Sequence, residues 1–231
     1  MIKSAGQRLL GVHDFRNLCK MDVNNGVVTF VRRIDSVDVA VAENHTQDDG
    51  PNSYDICCLI IKSKAFLWHQ IRCIVAVLLM IGEGLEEETV IDELFDIETN
   101  PCRPAYQMAS DLPLNLYMTE YPELDWTWDT SSMQLVMKTT QKLWAEHALK
   151  AAIIRGKLKE LESVSGIVEN SQAEILQARR KEKKYTKLMD LPRCPSLEDK
   201  VKTVVKKRKL ELPKTSENCD NTDDDIDYED C

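Results

Sequence analysis

Residues 66–84, FLWHQIRCIVAVLLMIGEG, carry an imidazole and a guanidinium, His69 and Arg72, at the head of the most apolar run in the chain. Three residues apart on a helix, the two side chains share a face. At about 100° per residue, Arg72 falls near Trp68, Val75, Ala76 and Leu79. Apolar residues surround the helix on nearly every side, so much of it is expected to be buried. A buried guanidinium costs several kcal/mol unless a counter-charge and hydrogen bonds offset it. The neighbours three and four positions away are His69, Trp68, Val75 and Ala76, none of them acidic. The partner of Arg72 is therefore a carboxylate of another segment or a phosphate. A purely structural Arg–carboxylate pair, or an arginine that snorkels from the helix start, fits the same residues. His69 alone reads as an ordinary core or surface histidine.

The other chemistry-bearing residues are dispersed. The eight cysteines (Cys19, Cys57, Cys58, Cys73, Cys102, Cys194, Cys219 and Cys231) form no CxxC pair, so no metal site is expected. The first fifteen residues hold Lys3, Arg8, His13 and Asp14 and lack the apolar core of a signal peptide. Reduced thiols in the nucleus or cytoplasm are the expectation. The run from Cys73 to Ile81 is far shorter than the roughly 20 residues of a membrane span, so a soluble protein without a membrane partner is expected.

Several elements must position these groups. Residues 5–19 read as a short helix with a turn near Gly11 to Asp14. Residues 27–43, with Val37, Val39 and Val41 alternating against polar neighbours, read as a half-buried strand. Residues 44–53 are loop by composition. Residues 54–66 read as a second strand, antiparallel to the first. The quoted helix runs over about 67–81, stopped by Gly82 and Gly84. Residues 85–97 form an amphipathic helix with Val90, Leu94 and Ile97 on one face. Residues 113–121, PLNLYMTEY, look like a closing strand.

After Pro122 the character changes. Ser131 and Gln134 have capping-box spacing, and Val136, Thr140, Leu143, His147, Ala151 and Ile154 recur at helical intervals. Gly166 separates this helix from another over about 168–187, a hairpin expected to pack on the domain. CPSLEDK, residues 194–200, offers a further helix cap. The basic segment 202–209, KTVVKKRK, suits nuclear import, phosphate contact or simply a solvated helix end. The formal net charge is −9, and nine acids lie beyond Leu210 against one base, Lys214. The remainder is nearly neutral, so the total says little about the folded surface. The acidic tail has too few apolar groups to offset chain entropy and is expected to be disordered.

Three ordered stretches resemble the TruA-type tRNA pseudouridine synthases, and most closely the eukaryotic branch acting on tRNA positions 38 and 39. FLWHQIRCIVAVLLMIGEG resembles the family's signature helix. GVHDFRNLCKMD, residues 11–22, resembles its Gly-x-His-Asp-Phe segment. RPAYQMASDLPLNLYMTEY, residues 103–121, resembles its last active-site strand. The likeness covers about residues 5–122 in the right order.

The resemblance implies an α+β fold, a mostly antiparallel sheet flanked by helices, with a helical C-terminal extension and a disordered acidic tail. It implies a division into residues 1–125 (the C-terminal part of the synthase domain), 126–190 (helical extension) and 191–231 (basic segment and tail). It implies isomerisation of uridine to pseudouridine without a cofactor, on a base flipped out of the RNA. A nucleophilic aspartate attacks the nucleoside, the glycosidic bond breaks, and the uracil is rejoined through carbon. In the family that aspartate lies in an Arg-Thr-Asp motif, and no Arg-Thr-Asp occurs in these 231 residues.

By the resemblance, Arg72 matches the arginine that pairs with the aspartate, and Leu114 matches the apolar wall of the uracil pocket. His69, Arg103 and His13 fall on the RNA-binding side. Asp14 sits in a different motif from the nucleophile, and a structural or RNA-positioning role is expected for it. The chain is thus expected to be a C-terminal portion of a tRNA synthase. It would expose an apolar sheet face and an edge strand, and be inactive alone. A second chain carrying the missing half is a possible partner besides tRNA. The alternatives are a non-catalytic tRNA-binding or regulatory paralogue, a gene product whose natural start precedes Met1, and a scaffold built on residues 126–190.

Overall fold

The helix that carries Arg72 is the centre of the core. In the computed structural model, which describes residues 1–43, 55–167, 173–176 and 185–211, it runs as α2 over Gln70–Gly82. Its buried residues include Cys73, Ile74, Ala76, Val77, Leu78, Met80 and Ile81. Gln70 caps the entry from within: its Oε1 accepts the Leu67 N–H at 2.7 Å. The helix starts three residues later than expected because Trp68 and His69 form a turn before it. Gly82 lies inside it, and Gly84 follows with φ +71°.

The chain divides into two units. The first comprises residues 1–39, 59–106 and 184–231, and the second residues 40–58 and 107–183. In the first unit, α1 (Ile2–Gln7) packs tightly on both its neighbours through glycine contacts. A Cβ on Gly6 would meet Val37 Cγ1 at 2.8 Å, and one on Gly82 would meet Ile2 Cδ1 at 2.8 Å. Both sites need glycine for close approach. Phe15, Phe30, Ile34, Leu9, Leu18 and Ile91 fill the core around them.

Residues 5–19 are not a helix with a turn. The helix ends at Gln7, and β1 (Gly11–Asp14) pairs antiparallel with β2 (Val31–Glu43), Gly11 opposite Ile34 and Asp14 opposite Val31. Four residues are too few to display an alternating pattern, and the pairing is set by distant residues. The strand expected over 54–66 is β3 (Ile56–Ser63), and the hydrogen-bonded order is β1-β2-β3. The fold is α+β with a three-stranded antiparallel sheet. The connecting loop expected over 44–53 lies outside the described residues. Val12, Val31 and Ile60 of the sheet remain exposed.

The amphipathic helix expected over 85–97 is shorter, α3 (Val90–Phe95), with Val90, Ile91 and Leu94 buried and Ile97 half-buried beyond its end. Its forward part is not helical, and there Glu86 turns inward, 6% exposed. Oε1 of Glu86 accepts the Leu188 N–H at 2.6 Å and the Tyr185 hydroxyl, and Lys187 Nζ donates to the Leu85 carbonyl at 2.6 Å. Leu188 is fully buried. Further along, the Ala105 N–H donates to the Pro192 carbonyl and the Cys194 N–H to the Arg103 carbonyl, both at 2.8 Å. Residues 185–194 are therefore a strap of the first unit. After it comes α6 (Leu197–Glu211), capped by Ser196, whose Oγ accepts the Asp199 N–H at 3.1 Å. The basic segment 202–209 lies in this helix, and the acidic tail beyond Glu211 lies outside the described residues.

In the second unit, α4 (Thr130–Ser165) is the helix expected from the apolar spacing. Its cap is Asp129, whose Oδ2 accepts the Ser132 N–H at 2.7 Å, and not the Ser131–Gln134 box, because Ser131 already lies inside the helix. No α4 residue is buried. Gly166, at φ +66°, ends it; α5 (Ala173–Leu176) lies within the helix expected over 168–187, whose last described residues, 185–187, are not helical. PLNLYMTEY is not a strand here. A strand needs a neighbour for its N–H and C=O groups, and among the described residues none pairs with 113–121. Leu116 and Tyr117 are over three-quarters exposed.

Candidate functional site

The entry to α2 gathers aromatic and cationic groups. Leu67 is buried, while Phe66 and Trp68 on either side of it are exposed at 38% and 52%. His69 has φ +58° and ψ +15°; among the described residues it is the one non-glycine in the left-handed region. That conformation costs a residue with a Cβ roughly 1–2 kcal/mol. The ring of His69 stacks on Trp68 with centroids 4.3 Å apart, and its carbonyl accepts the Cys73 N–H at 3.0 Å. The Lys20 N–H donates to the Trp68 carbonyl at 3.0 Å, and the Lys20 ammonium lies 5.5 Å from the Trp68 ring centroid.

Arg72 occupies the first turn of α2. It is half-buried, not enclosed as its apolar surroundings in sequence suggested. Arg72, Val75 and Leu79 form the less buried stripe of the helix, while Cys73, Ile74, Val77 and Ile81 face the core. Helical periodicity alone could not show which face the rest of the fold would cover.

His13 and Asp14 are engaged in packing and hydrogen bonds within the first unit. His13 stacks on Phe95 at 4.2 Å, with planes 9° apart, and meets Phe15 edge-on. Its Nε2–H donates to the Leu10 carbonyl at 2.8 Å. Asp14 clamps Arg16: Oδ1 accepts the Arg16 backbone N–H at 2.9 Å and Nε–H at 3.1 Å, and Oδ2 accepts Nη2–H at 2.8 Å. A carboxylate held this way is a structural acceptor rather than a nucleophile.

Arg103 is 9% exposed. It stacks on the Tyr106 ring at 4.0 Å, donates from Nη2 to the Tyr106 carbonyl at 2.8 Å and reaches Cys194 Sγ at 3.9 Å. Its Nε–H makes no hydrogen bond among the described residues. Burial pushes the Cys19 thiol up to about 12, and raises Cys73 and the Tyr106 phenol too. The surrounding groups are therefore neutral at pH 7. Tyr106 Oη donates to the Asn17 carbonyl at 2.7 Å, and Asn17 Nδ2 donates to the Leu94 and Asn100 carbonyls at 2.9 and 2.7 Å. This buried network ties the GVHDF segment, α3, the Arg103 loop and the strap together.

Of the residues singled out in sequence, His69 and Arg72 both stand at the entry to α2. His13 and Arg103 serve packed networks in the same unit. Leu114 belongs to the second unit, half-exposed on a turn where its N–H donates to the Asp111 carbonyl at 3.0 Å. Sequence reasoning assigned no role to Lys20 or to Tyr106 and Glu86. Only Trp68, an exposed indole beside the signature histidine, left a trace there. Among the described residues no three His, Cys, Asp or Glu side chains are grouped to hold a metal ion. No described helix is long and apolar enough to cross a membrane. The entry to α2 thus offers cations and aromatic faces, groups suited to phosphates and planar bases.

The comparisons with known proteins bear on this arrangement. A family model described as tRNA pseudouridine synthase matches residues 5–122. A tRNA pseudouridine(38/39) synthase of Bos taurus is 37% identical over 228 residues, covering 90% of this chain and 47% of the relative. The synthase of that name in Saccharomyces cerevisiae is 36% identical over 66% of this chain and 33% of its own length. A tRNA pseudouridine synthase A of Methanococcoides burtonii is 32% identical over 55% of this chain and 41% of its own. The chain spans about half the length, or less, of these relatives.

Proposed function

This chain belongs to the TruA family of tRNA pseudouridine synthases, eukaryotic branch, and on that premise we propose that it supplies the Arg72 side of a uridine-isomerising site for the tRNA anticodon arm, at positions 38 and 39. The single observation that carries this reading is the placement of Arg72. It stands in the first turn of the core helix, half-open, beside an exposed aromatic–cationic surface.

The reaction is redox-neutral and needs no cofactor. The C1′–N1 bond of uridine breaks, a C1′–C5 bond forms, and the C5 proton is exchanged for one on N1. Arg72 holds the nucleophilic aspartate ionised and aimed, as a guanidinium does for a carboxylate. His69 faces the RNA. Arg103 and His13 shape the surface from beneath, because the buried contacts of the one and the stacking of the other hold their segments in place.

The 231 residues contain no Arg-Thr-Asp, so turnover requires a segment that brings this motif. The exposed sheet residues Val12, Val31 and Ile60 offer that segment a surface. We place the activity in the nucleus or cytoplasm, with tRNA as the macromolecular partner. The test is pseudouridine formation in a tRNA transcript by this chain mixed with a family segment carrying Arg-Thr-Asp. Tight tRNA binding with no turnover in any such mixture favours a regulatory tRNA-binding protein instead.

A further inference from the structure

We infer that Lys20 is a phosphate contact of the RNA, presented ready-made by Trp68 at the mouth of α2. This rests on the tRNA reading above and adds a specific residue to it.

Lys20 follows Cys19 and precedes Met21, both buried, so the backbone is anchored on each side of an exposed side chain. Its N–H is bonded to the Trp68 carbonyl at 3.0 Å, which ties it to the turn entering α2 although 48 residues separate the two. Its ammonium lies over the Trp68 ring, 5.5 Å from the centroid. Among the described residues it forms no ion pair with a carboxylate. Five other placed cations of this unit do: Lys3 with Asp38, Arg8 with Asp92, Arg16 with Asp14, Arg33 with Asp35 and Lys187 with Glu86. A cation neutralised by a carboxylate has little left for a phosphate. One held by an aromatic quadrupole keeps its full charge and its N–H donors. Trp68, about half exposed, is itself held by the stacked ring of His69 at the helix entry. Anchoring the lysine in advance lowers the ordering entropy of binding. The ligand is a phosphodiester of RNA rather than a protein acid, because the site lies four residues ahead of Arg72, the residue matched to the uridine site.

The test is binding of an anticodon-arm RNA hairpin to the whole 231-residue chain across a salt series. Lys20→Gln is expected to weaken binding about fivefold at moderate salt and to lower the slope of log K against log salt by about 0.7–0.9, the loss of one phosphate contact. Lys20→Arg keeps both. Lys3→Gln, at a lysine already paired with Asp38, keeps both as well. Trp68→Leu weakens binding less than Lys20→Gln does. A wild-type chain that binds while Lys20→Gln binds with unchanged affinity and slope overturns this assignment and leaves the family reading standing. A wild-type chain that does not bind the hairpin at all overturns both the assignment and the tRNA reading of this chain.

Discussion

The backbone N–H of Leu188 donates to Oε1 of Glu86 at 2.6 Å, across 102 residues of sequence. This bond buckles the strap onto the turn that follows the core helix. The same oxygen accepts the Tyr185 hydroxyl, and Lys187 sits 3.7 Å from the other oxygen. Leu188 itself is fully enclosed. Glu86→Ala leaves a buried N–H without a partner and is expected to cost about 1–3 kcal/mol. Glu86→Gln retains an acceptor oxygen and costs less. Leu188→Ala opens a cavity and is expected to cost about 2–5 kcal/mol. Urea denaturation of the three variants checks the order, and an unchanged midpoint in Leu188→Ala would detach the strap from the fold.

The Cys19 thiol sets an alkaline limit. Burial raises it from 9 to about 12, so the folded chain keeps a proton that the unfolded chain releases. Its contribution to stability is complete below pH 9 and falls as pH rises from there through about 12. The loss is at most about 1.4 kcal/mol per pH unit in that window. Tyr106, also raised by burial, adds to the same trend at higher pH. Denaturation midpoints measured from pH 8 to 11 should decline in the parent chain and decline less in Cys19→Ala.

His69 holds a backbone conformation that favours glycine. At φ +58° a glycine is free of the steric cost that histidine bears. His69→Gly is expected to recover about 1 kcal/mol of backbone strain, offset by loss of the stack on Trp68. Stability then changes little while affinity for the anticodon-arm hairpin falls. A variant that both loses stability sharply and binds normally would show that the ring, rather than the RNA, is what this position serves.

Asp14 lies next to the histidine of its motif and is easily taken for the catalytic acid. Its two oxygens are occupied by three bonds from Arg16. Asp14→Ala is expected to destabilise the chain by about 2 kcal/mol, the scale of charge-assisted bonds in a partly buried pair. In a mixture that supplies the Arg-Thr-Asp segment, Asp14→Asn should keep the rate within about tenfold, equivalent to about 1.4 kcal/mol in the barrier. Complete loss of turnover in a folded Asp14→Asn chain would make it catalytic.

What could be read from sequence was what the local pattern alone determines. α2 and α4 were legible because their apolar periodicity extends over many residues. β2 and β3 were legible from β-branched runs bounded by turn residues. β1 was not, because four residues paired to Ile34 through Val31 owe their conformation to that partner. The strap was not, because Leu188 and Glu86 are ordinary residues until folding brings them together. PLNLYMTEY reads as a strand and stands unpaired here, a local preference with no neighbouring strand among the described residues. At the site, Arg72 and His69 announced themselves by charge within an apolar run. Lys20 could not, because its significance depends on Trp68, 48 residues away.

The most direct test is pseudouridine mapping at positions 38 and 39 of a tRNA transcript incubated with this chain alone, with an Arg-Thr-Asp-bearing family segment alone, and with both. The expected result is modification only with both, abolished by Arg72→Ala. Modification by the 231 residues alone, or an Arg72→Ala mixture as active as the parent, would contradict the assignment of Arg72 as the guanidinium half of a site whose aspartate comes from elsewhere.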